Sequence, residues 1–357
     1  FRGGDVIGKS KNLSGVYDIK VEVDSQVIFH SRFDRFSFAE TRCVNGYIDY
    51  PTRVRSRAVI HRCVVPANNM IGIYKHASNR GYYYFDKNKM YNIRYILQDF
   101  AGNTTVQELK VRGAKPEFDL PAKLVSSANA YLVLPAEEQS INTSYFEAEF
   151  WKECLFDTAL IQLRQRPVND AFTPEIAFGS MFIPINQPVL IRLMPTGFDA
   201  GLRDKLVIVR RTGKKEVSLG GYWVGDWLSA NTSEFGDFRV IADTVAPTIS
   251  FLKPTVKRPK THASRSKKTK KVKSVESRPP VYPKAQGLAR FRITEKLSGI
   301  REMHAWLNGE WILLEASEDI GIYEYRFPND LSPGIYCMRL WVCDRSGNQR
   351  ELEMEFE

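Results

Sequence analysis

The sequence predicts an all-β protein made of tandem sandwich modules, and three observations carry that prediction. The first is a phrase written twice. Asn12-Leu13-Ser14-Gly15-Val16 opens a strand-rich stretch that closes with Asp99-Phe100-Ala101-Gly102-Asn103, and Lys296-Leu297-Ser298-Gly299-Ile300 opens another that closes with Asp344-Arg345-Ser346-Gly347-Asn348. Leu-Ser-Gly before a β-branched residue reads as a turn feeding a strand. Asp-x-x-Gly-Asn reads as a tight hairpin loop, where Gly and Asn tolerate positive φ. The second observation is register. Tyr91, Ile93, Tyr95 and Leu97 precede Asp99 at the same offsets at which Tyr336, Met338, Leu340 and Val342 precede Asp344. That is the period of a half-buried strand. The third is the Pro- and Gly-bounded run of short alternating segments between the two copies. Together they give three tandem immunoglobulin-like sandwiches over residues 1–113, 114–243 and 244–357.

In the first module, Val16 to Asp24 alternates as a strand, Ser25-Gln26 turns it, and Val27 to His30 returns. The distance from Leu-Ser-Gly to the closing Asp is about 39 residues longer here than in the last module, which places an insertion at about 38–89. Ser37-Phe38-Ala39-Glu40 has the form of a capping box, but Asn45-Gly46 and Pro51 break any long helix. Met70 to Tyr74 and Tyr82 to Phe85 read as further strands, and Val106 to Val111 follows the closing loop.

The second module offers an aromatic alternating run at Tyr145 to Phe156 and a strand-like run at Met181 to Leu193. Pro184 and Pro188 interrupt the latter, which suits a sheet edge or bulge. Leu206 to Arg210 and Glu216 to Trp223 form a hairpin joined at Thr212-Gly213-Lys214-Lys215, and Gly236 to Asp243 closes the module. In the last module, strands Thr248 to Leu252 and Leu288 to Ile293 flank a basic tract. Glu351 to Phe356 follows its closing loop.

Net charge is concentrated. The chain carries +10, yet Lys253 to Lys284 alone contributes +11, so the remainder is near neutral. Such dense like charge with few apolar residues predicts a disordered loop of the last sandwich. Lys267, Lys268, Lys270, Lys271 and Lys273 are the candidate contacts to an anionic polymer, by counterion release. Nucleic acid is disfavoured because Tyr282 is the one aromatic near the tract. There is no apolar run long enough to span a membrane as a helix.

Candidate chemistry is sparse. The five cysteines form no C-x-x-C, and Cys337 and Cys343 lie too far apart along one strand to bridge. Cys43–Cys63 is sterically open as a disulfide. No G-x-S-x-G, no phosphate loop and no three-ligand metal spacing occurs, so no catalytic and no metal residue is assigned, and no cofactor is expected in this chain. One Asp and one Asn in each Asp-x-x-Gly-Asn loop fall short of the six to eight oxygens of a calcium site, so both loops read as capped turns. Trp223, Trp227, Trp306 and Trp311 are candidates for a carbohydrate platform, with core and interface packing the favoured use.

The wording Gly8-Lys9-Ser10-Lys11-Asn12-Leu13-Ser14-Gly15-Val16-Tyr17-Asp18-Ile19, then Phe36 to Arg42, Tyr47 to Tyr50, Tyr74-Lys75 with Asn79-Arg80-Gly81, and Asp99 to Asn103 resembles the region downstream of the catalytic domain in lysostaphin-type (LytM-like) zinc metallopeptidases of Bacteroidota. Asp243-Thr244-Val245-Ala246-Pro247 and the last repeat fit the same pattern, whereas 114–229 fits loosely and the basic tract has no counterpart. The resemblance implies a non-catalytic accessory region of an extracytoplasmic murein endopeptidase, with zinc held in a catalytic domain upstream of this fragment. Its partners would be that upstream domain and peptidoglycan or another anionic envelope polymer. The family's zinc elements are H-x-x-x-D and H-x-H. This chain has no H-x-H, and its H-x-x-x-D, His30 to Asp34, lies beside a predicted strand and is read as structural. The alternative function is a stand-alone surface glycan-binding or adhesin module.

Overall fold

The computed structural model of the chain describes residues 5–6, 13–114, 129–252, 281–282, 287–328 and 330–357. The basic loop with Lys267, Lys268, Lys270, Lys271 and Lys273 lies outside the described residues. Antiparallel sheets dominate, none of them closed, and the fold class is all-β sandwich. The chain divides into two compact units, Phe1–Gly197 with Ile208–Val240, and Phe198–Val207 with Ile241–Glu357.

In the first unit, one five-stranded sheet has the order Tyr74–Ala77, Gln26–Arg32, Asp18–Val23, Met90–Gln98, Thr104–Arg112. The first hairpin turns at Asp24 and Ser25, with φ of 49° and 69°, so Gln26 opens the returning strand instead of turning it. Two consecutive positive φ values make the tight turn whose twist suits a hairpin. The insertion supplies this sheet's covering layer. Ser37 begins a short 3-10 turn, Phe38–Cys43, and the Glu40 side chain accepts from the Ser37 amide. Helix Val44–Tyr47 then contains Asn45-Gly46 instead of being broken by them. Asp49 caps helix Tyr50–Ser56, with Pro51 in its first turn, where a missing N–H costs nothing. Tyr47, Ile48, Ile71 and Ile73 bury against Val21, Val23, Ile28 and Phe29 of the sheet. Each such burial is worth about 1.5–3 kcal/mol. The expected strand Tyr82 to Phe85 makes no ladder. Its rings pack instead, Tyr83 and Phe85 both meeting Tyr91.

The rest of this unit contains a two-sheet sandwich. One sheet runs Tyr222–Val224, Trp227–Thr232, Val189–Leu193, Phe146–Phe150, Gln139–Asn142; the other runs Lys215–Gly220, Leu206–Thr212, Gly236–Ala242, Glu175–Phe178, Ala159–Arg166, Ala130–Val133. Phe178 joins the sheets, its ring 4.9 Å from Phe146 and 6.1 Å from Phe238. Val189–Leu193 is a central strand and not an edge. Pro188 stands one residue before the ladder, so its missing donor interrupts nothing. Of the run Tyr145 to Phe156, Phe146–Phe150 forms the ladder; Glu153, with a φ of 68°, turns the chain, and Leu155 beyond it makes an isolated bridge to Ile185. The hairpin forms over residues 206–220, but Tyr222 and Trp223, read as the end of its second strand, pair instead with Trp227–Thr232 in the other sheet.

Polar side chains join the insertion to this sandwich. Arg42 donates to the Ile185 and Ser233 carbonyls, and Asn68 to those of Pro135 and Leu155. The Cβ that any other residue would carry at Gly46 would lie 2.6 Å from the buried Phe156 ring, so this close approach requires glycine.

The second unit is a sandwich of two sheets, Thr248–Phe251, Leu288–Thr294, Ile322–Arg326, Glu315–Ala316 and, opposite, Val281–Tyr282, Gln349–Phe356, Tyr336–Asp344, Ile300–Leu307, Glu310–Ile312. Thr248–Phe251 pairs with Leu288–Thr294, whereas Val281–Tyr282, expected within the basic loop, is a short strand alongside Gln349–Phe356 in the opposite sheet. Phe356 sits between Phe251 and Phe327 in the core.

Candidate functional site

Strand alternation sorts the side chains of the five-stranded sheet in the second unit. Met303, Ala305 and Leu307 face the core with Met338, Leu340 and Val342. The residues between them, His304, Trp306, Arg339 and Trp341, therefore share the outer face. Register places them in two cross-strand rows. Trp311 opposes Trp306, which opposes Arg339, which opposes Glu353. His304 opposes Trp341, which opposes Glu351. The first row extends over four strands, about 14 Å at the usual strand spacing, and the second over three.

The rings on this face are ordered by one another. His304 stacks on Trp341 at 5.6 Å and 27°, and lies 5.8 Å from Trp306. The Arg339 guanidinium sits 4.3 Å from the Trp306 ring centre and also pairs with Glu351 at 3.4 Å. The Trp341 indole N–H donates to Gln349. Trp311 is 59% exposed, so its ring is offered to solvent. Flat aromatic surface flanked by fixed hydrogen-bonding groups is the chemistry that receives a sugar ring, with apolar C–H faces on aromatic planes and hydroxyls on Arg, Glu and Gln. Core packing is thus not the use of Trp306 and Trp311. A sequence of alternating residues left the choice of face open, and the depth of the partner sheet decides it. Trp223 and Trp227 are half-buried on another sheet, in the first unit, and do not join this face.

A concavity lies in the first unit, where the insertion meets the two-sheet sandwich. It encloses about 650 Å³ between Tyr50, Pro51, Phe156 and Phe182, with Arg62 and Asp157 paired at 3.2 Å on its wall. Arg55 covers Phe182 at 4.4 Å. Among the described residues lining it there is no His, Cys or Ser.

The structure separates His30 from Asp34. His30 Nε2 meets Asp18 Oδ2 at 2.9 Å, and Arg32 donates to the same oxygen at 2.7 Å. Burial alone would raise the Asp18 carboxyl, but these two bonds outweigh it and hold it below the usual carboxylate value. Asp34 instead accepts from the Tyr17 hydroxyl and pairs with Lys75. The two ends of the H-x-x-x-D spacing therefore sit in separate structural contacts, His30 on Asp18 and Asp34 on Tyr17 and Lys75. Cys43 and Cys63 are free thiols, so the bridge left open by the sequence is not formed. Burial pushes the Cys63 thiol up to about 11, which keeps it protonated and unreactive at neutral pH.

A family model described as a Zu5-like domain matches residues 130–243, about a third of the chain and the segment that forms the two-sheet sandwich of the first unit. No curated protein matches the chain. Among solved structures, the chain is similar to SGBP-B of the Bacteroides ovatus mixed-linkage glucan utilisation locus, in complex with a mixed-linkage heptasaccharide. Identity is 13% over 96% of this chain and 61% of that one, with a TM-score of 0.16. It is similar also to the extracellular domain of a protein named as a hybrid two-component system of B. thetaiotaomicron, at 11% identity over 74% of this chain and 36% of that one, with a TM-score of 0.21. A third is a 1.5-MDa bacterial ice-binding adhesin, at 10% identity over 76% and 74%, with a TM-score of 0.18. The chain thus spans about three fifths and about a third of the first two, and TM-scores this low carry no argument about function.

Proposed function

We propose that this chain is a non-catalytic, extracytoplasmic binding region that holds a polysaccharide on the outer face of its last sandwich. The observation that supports this reading is the double row Trp311–Trp306–Arg339 and His304–Trp341–Glu351, aromatic planes interleaved with charged hydrogen-bonding groups. Solvated faces of sandwiches are ordinarily polar; a contiguous Trp/His surface marks a binding site. Arg339 and Trp side chains are also the residue types that dominate binding energy where they are buried by a partner. The test is retention of the full chain on a polysaccharide panel: β-glucans, chitin and purified murein. Trp306→Ala and Trp311→Ala should each weaken binding to the retained polymer by at least tenfold, with the fold intact by circular dichroism. Retention unaffected by both substitutions would refute the reading.

A second reading rests on the wording of residues 5–113, which resembles the accessory region of LytM-like murein peptidases. In it the polymer is peptidoglycan, and the region positions a catalytic domain carried elsewhere in the protein. Zymography separates the two. This chain alone should clear no murein, whereas murein would be the panel member retained most strongly. Selective retention of another glycan would set the peptidase association aside.

A further inference from the structure

Three carboxylates far apart in sequence meet in the second unit. Ligand oxygens of Asp243, Glu295 and Asp344 all lie within 4.8 Å of one another. Asp243 and Asp344 are buried, at 2% and 0% exposure. Among the described residues none of the three forms a salt bridge with Lys or Arg. Lys205 Nζ donates to Asn348 Oδ1, and Arg301 pairs with Glu302 while acting on Asp344 through space only. Three carboxylates this close, with no direct ion pair among the described residues, repel one another, which is an unfavourable arrangement for a fold to keep.

A second observation points to what compensates them. The Ser298 and Ser346 hydroxyls are each buried, on residues 6% and 5% exposed, and neither has a hydrogen-bond partner. Both are turned away from solvent on the two loops that wrap the carboxylates. The Ser298 amide donates to Asp243 Oδ2, Ser346 lies within the loop that Asp344 closes, and the Arg345 amide on that loop donates to the Gly299 carbonyl on the other. A buried hydroxyl left unpaired is costly, and two beside one anionic cluster need an explanation.

We propose that Asp243, Glu295 and Asp344, with the Ser298 and Ser346 hydroxyls, form a binding site for a divalent cation of the calcium class. All the donors are hard oxygens, and there is no nitrogen or sulfur among them, which selects against zinc. Backbone amides already engage several carboxylate oxygens, from Val245, Ser298, Leu297, Gly299 and Asn348. Glu295 Oε2 is filled by the Leu297 and Gly299 amides, but Glu295 Oε1 and the four oxygens of Asp243 and Asp344 each keep a lone pair for a cation. Carboxylates, two hydroxyls and water reach the six to eight ligands that calcium takes. The site ties residue 243, where the Zu5-like match ends, to both loops at one end of the last sandwich. It is independent of the glycan reading, since none of its residues lies in the aromatic rows.

Titration calorimetry of the full chain with calcium chloride, after EDTA treatment and dialysis, tests the site. One calcium should bind per chain, and magnesium at least tenfold more weakly. Glu295→Gln and Ser346→Ala should each weaken calcium at least tenfold and threefold respectively, while Asp99→Asn, in the sister loop, should leave it unchanged. Thermal melts add a readout that misfolding does not imitate. Ser346→Ala should shrink the calcium-induced rise in melting temperature but melt like the wild type in EDTA, because its hydroxyl has no hydrogen-bond partner within the protein. Absence of calcium uptake by the wild type would overturn the proposal, as would uptake undiminished in Glu295→Gln. Equal binding of magnesium would overturn the calcium-class assignment.

Discussion

His61 makes the insertion sensitive to pH in a way that can be worked out in advance. Its ring is buried at 7% exposure, 5.5 Å from the Tyr47 ring and 6.3 Å from that of Phe33. An isolated bridge to Ile48 fixes its backbone. Burial disfavours the imidazolium and lowers the group from 6.5 to about 4. Between those values the unfolded chain binds the proton and the folded chain does not. Stability from this group is therefore complete above pH 6.5 and is lost progressively as pH falls toward 4. At about 1.36 kcal/mol per unit, the whole window is worth about 3 kcal/mol. The perturbation is His61→Phe, which keeps an aromatic ring of similar size and removes the proton site. Urea unfolding at pH 7 and pH 4.5 then gives a difference of differences, in which the histidines common to both proteins cancel. The wild type should lose about 2–3 kcal/mol more than the variant. Parallel losses would refute the reasoning, as would a His61 ring proton that titrates by NMR near 6.5.

Three further outcomes rest on other contacts of the first unit. Gly46→Ala places a methyl 2.6 Å from the fixed Phe156 ring and should cost about 1–3 kcal/mol in chemical denaturation, with no loss expected if the insertion sat clear of the sandwich. Phe178→Ala removes the ring that joins the two sheets and should cost about 3–5 kcal/mol, measured the same way. Asp18→Asn should flatten acid unfolding below the ordinary carboxylate value of 3.8. The depressed Asp18 carboxyl contributes stability above that value and loses it as pH falls through its folded value. An unchanged acid limb would contradict the assignment of His30 and Arg32 as its partners.

Much of this fold was legible because local patterns settle it. The four apolar offsets before each closing Asp became Met90–Gln98 and Tyr336–Asp344, and the two-residue turn at Gly213-Lys214 pinned the hairpin. The failures share one cause, a tertiary partner that no local window contains. Asn45-Gly46 reads as a helix breaker, yet Phe156 from a distant segment rewards the missing Cβ. Tyr82 to Phe85 has strand composition, yet its rings have Tyr91 to pack on and no free ladder to join. Trp306 and Trp311 could be assigned to neither face until the opposite sheet was in place. The first module's covering layer was equally invisible, since it comes from an insertion with hardly any periodicity.

The two copies of Asp-x-x-Gly-Asn show how far a motif determines its use. In both, the Asn amide donates to the Asp carboxylate at 2.8 Å, the Gly amide donates to the Asp carbonyl at 3.2 Å, and the Gly φ is positive, 93° and 75°. The five residues thus specify one turn wherever they stand. Their surroundings differ. Asp99 is half-buried beside an exposed Asn103. Asp344 is fully buried, and its Asn348 also donates to the Asp243 carbonyl and receives Lys205. Exchanging Arg345-Ser346-Gly347 for the sister sequence Phe-Ala-Gly should therefore preserve the hairpin, because every bond that shapes it involves Asp, Gly and Asn alone. It should at the same time weaken the calcium response, because the one hydroxyl contributed by this loop is lost. Melting curves in EDTA should overlay those of the wild type to within a few degrees, while the calcium-induced rise should shrink. A swapped protein that keeps the full rise would show that the loop contributes its turn and its carboxylate but not its serine. One that melts early in EDTA would show that the turn depends on its middle residues after all.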